Sequence, residues 1–83
     1  MSPSDLLAEI YVEAHRCDSQ VPKFRSLHEA CAVIAEEMDE VWDICRQKRR
    51  ERNADELRKE LIQVAAMAVK AIESMENLVG EGL

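Results

Sequence analysis

The stretch Ser26-Leu27-His28-Glu29-Ala30-Cys31-Ala32-Val33-Ile34-Ala35-Glu36-Glu37-Met38-Asp39-Glu40-Val41-Trp42-Asp43-Ile44-Cys45 decides the fold class. Ser26 and Glu29 form an S-x-x-E capping box, in which side chains take up the orphan amides of a first helical turn. Leu27, Cys31, Ile34, Met38, Val41 and Cys45 then recur in steps of four and three, the spacing of one helix face. No strand-like alternation interrupts them. A basic run follows at Lys48, Arg49, Arg50 and Arg52. Cations are favoured at a helix C-terminus by the helix dipole, and they also attract phosphate, so both readings stand. The predicted helix covers 27–49.

The flanking segments read the same way. Ser2-Pro3 followed by Ser4-Asp5 starts a helix with proline at its first turn. Leu6, Leu7, Ile10, Ala14, Cys17 and Val21 line one face, Glu9, Glu13 and Arg16 the other, and Pro22 ends the element, giving a helix over 3–20. Asn53 and Glu56 open a third helix, over 54–79. Its stripe is Leu57, Leu61, Val64, Ala65, Ala68, Ile72, Met75 and Val79, with Gly80 as C-terminal cap. The fold class is therefore all-α: a three-helix protomer in one domain, 1–83. The few residues around Arg49 to Asn53 force the second and third helices into an antiparallel hairpin.

Size and charge narrow the function. A chain of 83 residues buries only about 60–65% of its unfolded surface and is marginal alone. Its apolar content of 47% is high beside 34% charged residues, which predicts completion of a helical bundle as a homodimer or homotetramer. A net charge of −6 argues against nucleic-acid polymers, whose phosphates demand Lys and Arg. No run of roughly 18 apolar residues suggests a membrane span, and no basic-then-apolar start suggests a signal peptide. Cys17, Cys31 and Cys45 are odd in number and lie among apolar neighbours, as expected of packed thiols in a reducing cytoplasm.

Most of the 17 acids must simply face water. Position sets a few apart. At about 100° per residue, Glu37 falls about 60° and Glu40 about 120° from Ile34, while Glu36 and Asp39 point further out. Glu60 lies about 100° and Gln63 about 160° from Leu61, on the same-signed flank. In an antiparallel pair, same-signed flanks share one side, so Glu37, Glu40, Glu60 and Gln63 are expected to converge at similar heights. Two carboxylates about 5 Å apart repel by roughly 3 kcal/mol at an effective dielectric near 20. Such a group either takes up protons or binds a cation. Oxygen ligands without His or Cys point to Mg²⁺, with Mn²⁺ as substitute. Surface acids paired with nearby Lys and Arg are the competing reading.

These residues also match a family pattern. Glu36-Glu37-Met38-Asp39-Glu40 reads E-E-x-x-E, and Glu60-Leu61-Ile62-Gln63 stands in the place of E-x-x-D. With His28-Glu29-Ala30, Asp39-Glu40-Val41-Trp42-Asp43 and Glu60 through Ala68, the chain resembles the MazG-like all-α nucleoside triphosphate pyrophosphohydrolases over about 24–74. The resemblance implies hydrolysis of a (d)NTP to a (d)NMP and pyrophosphate, in nucleotide-pool cleansing or control. It implies Mg²⁺ ligation by Glu37, Glu40 and Glu60, and a further acid role for Glu36 in orienting water or holding a second ion. Phe24 and Arg25 fall where relatives contact base or phosphate. Two departures stand out: Gln63 replaces the usual Asp and ligates only through a carbonyl oxygen, and no fourth helix follows with phosphate-binding Lys and Asn. Lys48 to Arg52, Lys70 or a partner subunit are the cations available instead. These departures keep a non-catalytic helical interaction module, or an acidic coiled-coil partner for a basic protein, as alternatives.

The remaining notable side chains read as structural. His28 is a capping or surface residue. Met38, Met67 and Met75 belong to the core, and Trp42, on the flank opposite the acids, to the core or a dimer interface.

Overall fold

The computed structural model describes residues 2–16 and 24–78, the side chains of 76–78 excepted. It is all-helical: α1 (Pro3–His15), α2 (Leu27–Cys45), a single 3₁₀ turn (Arg49–Glu51) and α3 (Ala54–Leu78), with no strand among the described residues. No helix among them is long and apolar enough to cross a membrane. Cys17, Val21 and Pro22 of the first expected helix, and Val79 and Gly80 of the third, lie outside the described residues.

Local chemistry sets the helix starts. Ser2 Oγ accepts the Asp5 N–H, and the Asp5 carboxylate accepts the Ser2 N–H, a complete reciprocal box with Pro3 just inside it. Ser26 Oγ accepts the Glu29 N–H, but the Glu29 carboxylate reaches back to the Arg25 N–H instead of Ser26, so this box is half formed. Asn53 Oδ1 accepts from the N–H groups of Asp55 and Glu56 and opens α3 alone.

Helix α2 stops at Cys45, four residues short of the expected 49. Arg52 explains the stop. Its guanidinium folds back and donates to the Cys45 carbonyl at 2.6 Å and the Gln47 carbonyl at 3.1 Å, satisfying oxygens that a longer helix would have used itself. Of the basic run, Arg52 thus caps α2, while Lys48, Arg49 and Arg50 are exposed.

Helix α3 is the central element. It packs against both α1 and α2, and those two do not pack on each other. The start of α2 sits beside the end of α3, where the Phe24 N–H donates to Ser74 Oγ at 3.1 Å. The end of α2 sits beside the start of α3, where Asp43, Ile44 and Gln47 share a cleft with Glu56 and Glu60. Polar ties secure α1: Arg58 grips Glu9 with both guanidinium nitrogens at 2.7 Å, Gln63 donates to Glu13, and His15 Nε2 lies 2.8 Å from Glu73.

The buried line of α3 is not the apolar stripe of the sequence. Ile62, Ala66, Lys70 and Ser74 are buried, whereas Leu61, Ile72 and Met75 are exposed, at 48%, 66% and 42%. Helix α2 is rotated likewise. Ala30, Val41 and Ile44 are buried, while Leu27, Cys31 and Met38 of the expected stripe are exposed. Assigning Met38, Met75 and the Cys31 thiol to a core is therefore incorrect in this protomer. The physical reason is that α3 must serve two neighbours on different faces. Small residues on the line between them, Ala66 and Ser74, let the helices approach closely, and the broad apolar stripe is left at the side.

Candidate metal centre

Glu37 and Glu40 lie three positions apart on α2, and Glu60 stands opposite them on α3. One carboxylate oxygen from each comes within 4.8 Å of the other two. The expected convergence of these three acids is present.

Their environment is electrostatically costly. Partial burial raises the Glu37 carboxyl above the ordinary range, and the charges of Glu40 and Glu36 add to the effect. Glu60 is raised as well, chiefly by its hydrogen bond with Glu40, then by burial and by the charges of Glu40 and Glu37. Lys59 pulls Glu60 the other way and is outweighed. Both shifts run the same way: crowding of the three carboxyl groups disfavours their charged forms, which protonation or a bound cation would relieve.

One atom shows the imbalance most directly. Glu60 Oε2 is buried and has no hydrogen-bond partner. A buried carboxylate oxygen left so is expensive, and a coordinated cation would satisfy it. The donor set is all oxygen, from three carboxylates, which fits Mg²⁺ or Mn²⁺ better than zinc. Glu37, Glu40 and Glu60 are the residues that would hold it.

The other expected site residues are placed differently. Gln63 is not with the acids: its amide donates to Glu13 of α1, and it lines a separate cleft with Glu9, Arg16 and Arg58. Its extra angular step past Glu60 is enough to move it from the α2 side toward α1. Glu36 is exposed and acts on the cluster only through its charge on Glu37. Phe24 is buried at the start of α2, its ring 5.3 Å from Lys70 Nζ, and is a packing anchor. Arg25 is exposed beside Glu29. Both precede α2, whose first residue, Leu27, is about 15 Å from Glu37 along the helix at 1.5 Å per residue. Lys48 is exposed in the connection between α2 and α3, beyond the acids.

Several polar residues had no sequence signal. Lys70 is only 5% exposed and Ser74 is fully buried, with Ser74 Oγ donating to the Lys70 carbonyl at 2.7 Å. Both sit where an apolar residue would normally be read, and Phe24, fifty residues away in sequence, is what they touch. The Glu9–Arg58 and Glu13–Gln63 pairs are equally distant in sequence. No protein-family model, curated protein or solved structure matches this chain.

Proposed function

We propose that this chain is a Mg²⁺-dependent nucleoside triphosphate pyrophosphohydrolase of the MazG-like kind, acting in the cytoplasm on (d)NTPs. The observation that carries the reading is the buried, unpartnered Glu60 Oε2 within a cluster shared with Glu37 and Glu40. In this reading α2 and α3 form an antiparallel hairpin whose acidic edge is the active centre.

The chemistry is a hydrolysis. Water adds to phosphorus, the α–β anhydride P–O bond breaks, and a monophosphate and pyrophosphate leave. Bound Mg²⁺ supplies charge neutralisation at the phosphoryl oxygens and lowers the pKa of a coordinated water. Glu37 and Glu40 from α2 and Glu60 from α3 are the residues that would hold the ion, supported by two packed helices. Glu36, exposed next to Glu37, is the acid available to orient a second water. Carboxylates must be deprotonated to ligate, so a divalent ion would be held less tightly as pH falls.

A pyrophosphate-release assay with a panel of (d)NTPs, in Mg²⁺ and in Mn²⁺, tests the proposal. Turnover that disappears in Glu37→Gln and Glu60→Gln supports it. No turnover on any nucleotide with either ion favours the second reading, a non-catalytic helical module. That reading draws on one observation: Gln63 is tied to Glu13, which leaves three acids in the cluster.

A further inference from the structure

Of the polar ties described between α1 and α3, one titrates near neutral pH. Toward the start of α1, Arg58 grips Glu9, and the hydrogen bonds between them hold the Glu9 carboxyl below its ordinary value and the Arg58 guanidinium above its own. Both groups therefore stay charged through neutrality. Next along, the Gln63 amide donates to Glu13, and an amide has no proton to lose in this range. At the end of α1, His15 meets Glu73.

The His15 imidazole is engaged at both nitrogens. Nδ1 lies 2.8 Å from the Tyr11 carbonyl oxygen, one turn back on α1. Nε2 lies 2.8 Å from one Glu73 carboxylate oxygen and 3.0 Å from the other. A carbonyl accepts and cannot donate, and the same is true of an ionised carboxylate, so each ring nitrogen must carry a proton. A neutral imidazole has one N–H and the imidazolium has two. Only the charged ring satisfies both partners.

The surroundings favour the same form. His15 stands in the last turn of α1, where the helix dipole stabilises a cation. The side chains of His15 and Glu73 are 26% and 33% exposed, so water screens the pair only in part. Among the described residues the ring is faced by Glu73 from α3 and flanked by Arg16 on α1. Arg16 opposes a second positive charge, but Glu13 engages its guanidinium at 3.0 Å. The Tyr11 ring lies 4.1 Å from the imidazole. Lys70, about one turn before Glu73 on α3, is turned to the Phe24 ring instead. Helix α2 does not pack on α1 and brings no charge to it.

We propose that His15 and Glu73 form a pH-sensitive clasp on the end of α1. Protonated His15 holds the last turn of α1 against α3. Loss of one ring proton breaks either the Tyr11 or the Glu73 contact, and that end of the helix loosens. The docked imidazole titrates above its ordinary value of about 6.5. A group raised in the docked state supports docking fully below its undocked value, and this support is lost as pH rises through the docked value. Helix α1 is thus closed along its length in mildly acid solution. Above neutrality its end opens and uncovers Ala14, which is 3% exposed when docked, while Glu9 and Arg58 keep the start in place.

The test follows the imidazole resonances of the full chain by NMR through a pH titration. The two histidines are told apart with His28→Gln. His15 is expected to titrate about one unit or more above the ordinary value of about 6.5, and Glu73→Gln should return it toward that value. A shift of about one unit is a change of about tenfold in the docking constant. Between about pH 6 and about pH 9, amides of residues 11–15 should therefore lose about tenfold in exchange protection relative to residues 7–10. Taking the ratio within one helix cancels the intrinsic pH dependence of exchange. His15→Gln should abolish the change. A wild-type His15 that titrates at or below about 6.5 overturns the proposal, and so does a protection ratio that stays constant across the range. A ratio that still changes with pH in His15→Gln assigns the effect to another group and overturns it equally. If either variant fails to fold, the wild-type titration and exchange ratio decide. None of these readouts depends on metal or nucleotide, so this proposal and the catalytic one fail separately.

Discussion

The Gln63 amide donates to the Glu13 carboxylate across the α1–α3 contact, less than one turn from the point where Glu60 joins Glu37 and Glu40 and about 60° round the same helix. Helix α3 therefore divides its polar residues between two neighbours. The acid cluster has three members, and the residue expected as its fourth holds α1 in place.

Exchanging Gln63 for Ala separates these roles. It removes a helix-to-helix hydrogen bond and should cost about 1 kcal/mol of stability by chemical denaturation. Divalent-ion binding should be unchanged within error. A loss of Mg²⁺ affinity comparable to that of an acid substitution would put Gln63 back among the ligands.

Mg²⁺ should stabilise the chain measurably. At an ion concentration one hundred times Kd, the stabilisation is about 2.7 kcal/mol, which in a chain this small raises Tm on the order of 10 °C. Glu60→Gln should raise Tm without metal, since it removes a repelling charge and places an N–H donor among the carboxylates, and it should abolish most of the metal-dependent rise. Differential scanning fluorimetry with and without Mg²⁺ reads both effects.

The metal-free chain should lose stability as pH rises. Glu37 and Glu60 are raised in the folded state, so between the ordinary carboxylate value of 4.5 and their folded values the native chain binds more protons than the unfolded one. Stability then falls with increasing pH through that window, and its contribution is fully present only below it. Denaturant midpoints at pH 4.5 and pH 7, in chelator, should differ in that direction. Saturating Mg²⁺ should flatten or reverse the trend.

Ser74→Ala should be costly despite its small change in volume. The Ser74 hydroxyl accepts the Phe24 N–H and donates to the Lys70 carbonyl, and it is fully inaccessible. Without it the Phe24 amide is buried and unpaired, a loss of about 1–3 kcal/mol. Ser74→Cys, which keeps a weak partner, should fall between the two. Urea denaturation distinguishes them.

Helix class and helix starts were legible because they are local. Ser2, Ser26 and Asn53 each sit within three residues of the amides they cap. The convergence of Glu37, Glu40 and Glu60 was legible too, because a short connection brings the end of α2 beside the start of α3 and so sets these acids at matching heights. The rotation of those helices was not. Periodicity gives the axis of an apolar stripe, but not which neighbour covers it, and here Leu61 and Ile72 are uncovered within the protomer while Lys70 and Ser74 are buried. The same rotation separates Gln63 from Glu60. Pairs such as Glu9 with Arg58 depend on how α1 docks, and docking leaves no local trace.

The lack of packing between α1 and α2 has a kinetic consequence. Whatever one of them does reaches the other only by way of α3, so α1 can swing off while the α2–α3 pair stays formed. Its undocking would break the ties at Glu9, Glu13 and His15 and uncover Ala14, with no loss of contact to α2. Amide hydrogens of α1 should then exchange with solvent through this partial opening, earlier than those of α3, whose release needs the whole protomer to come apart.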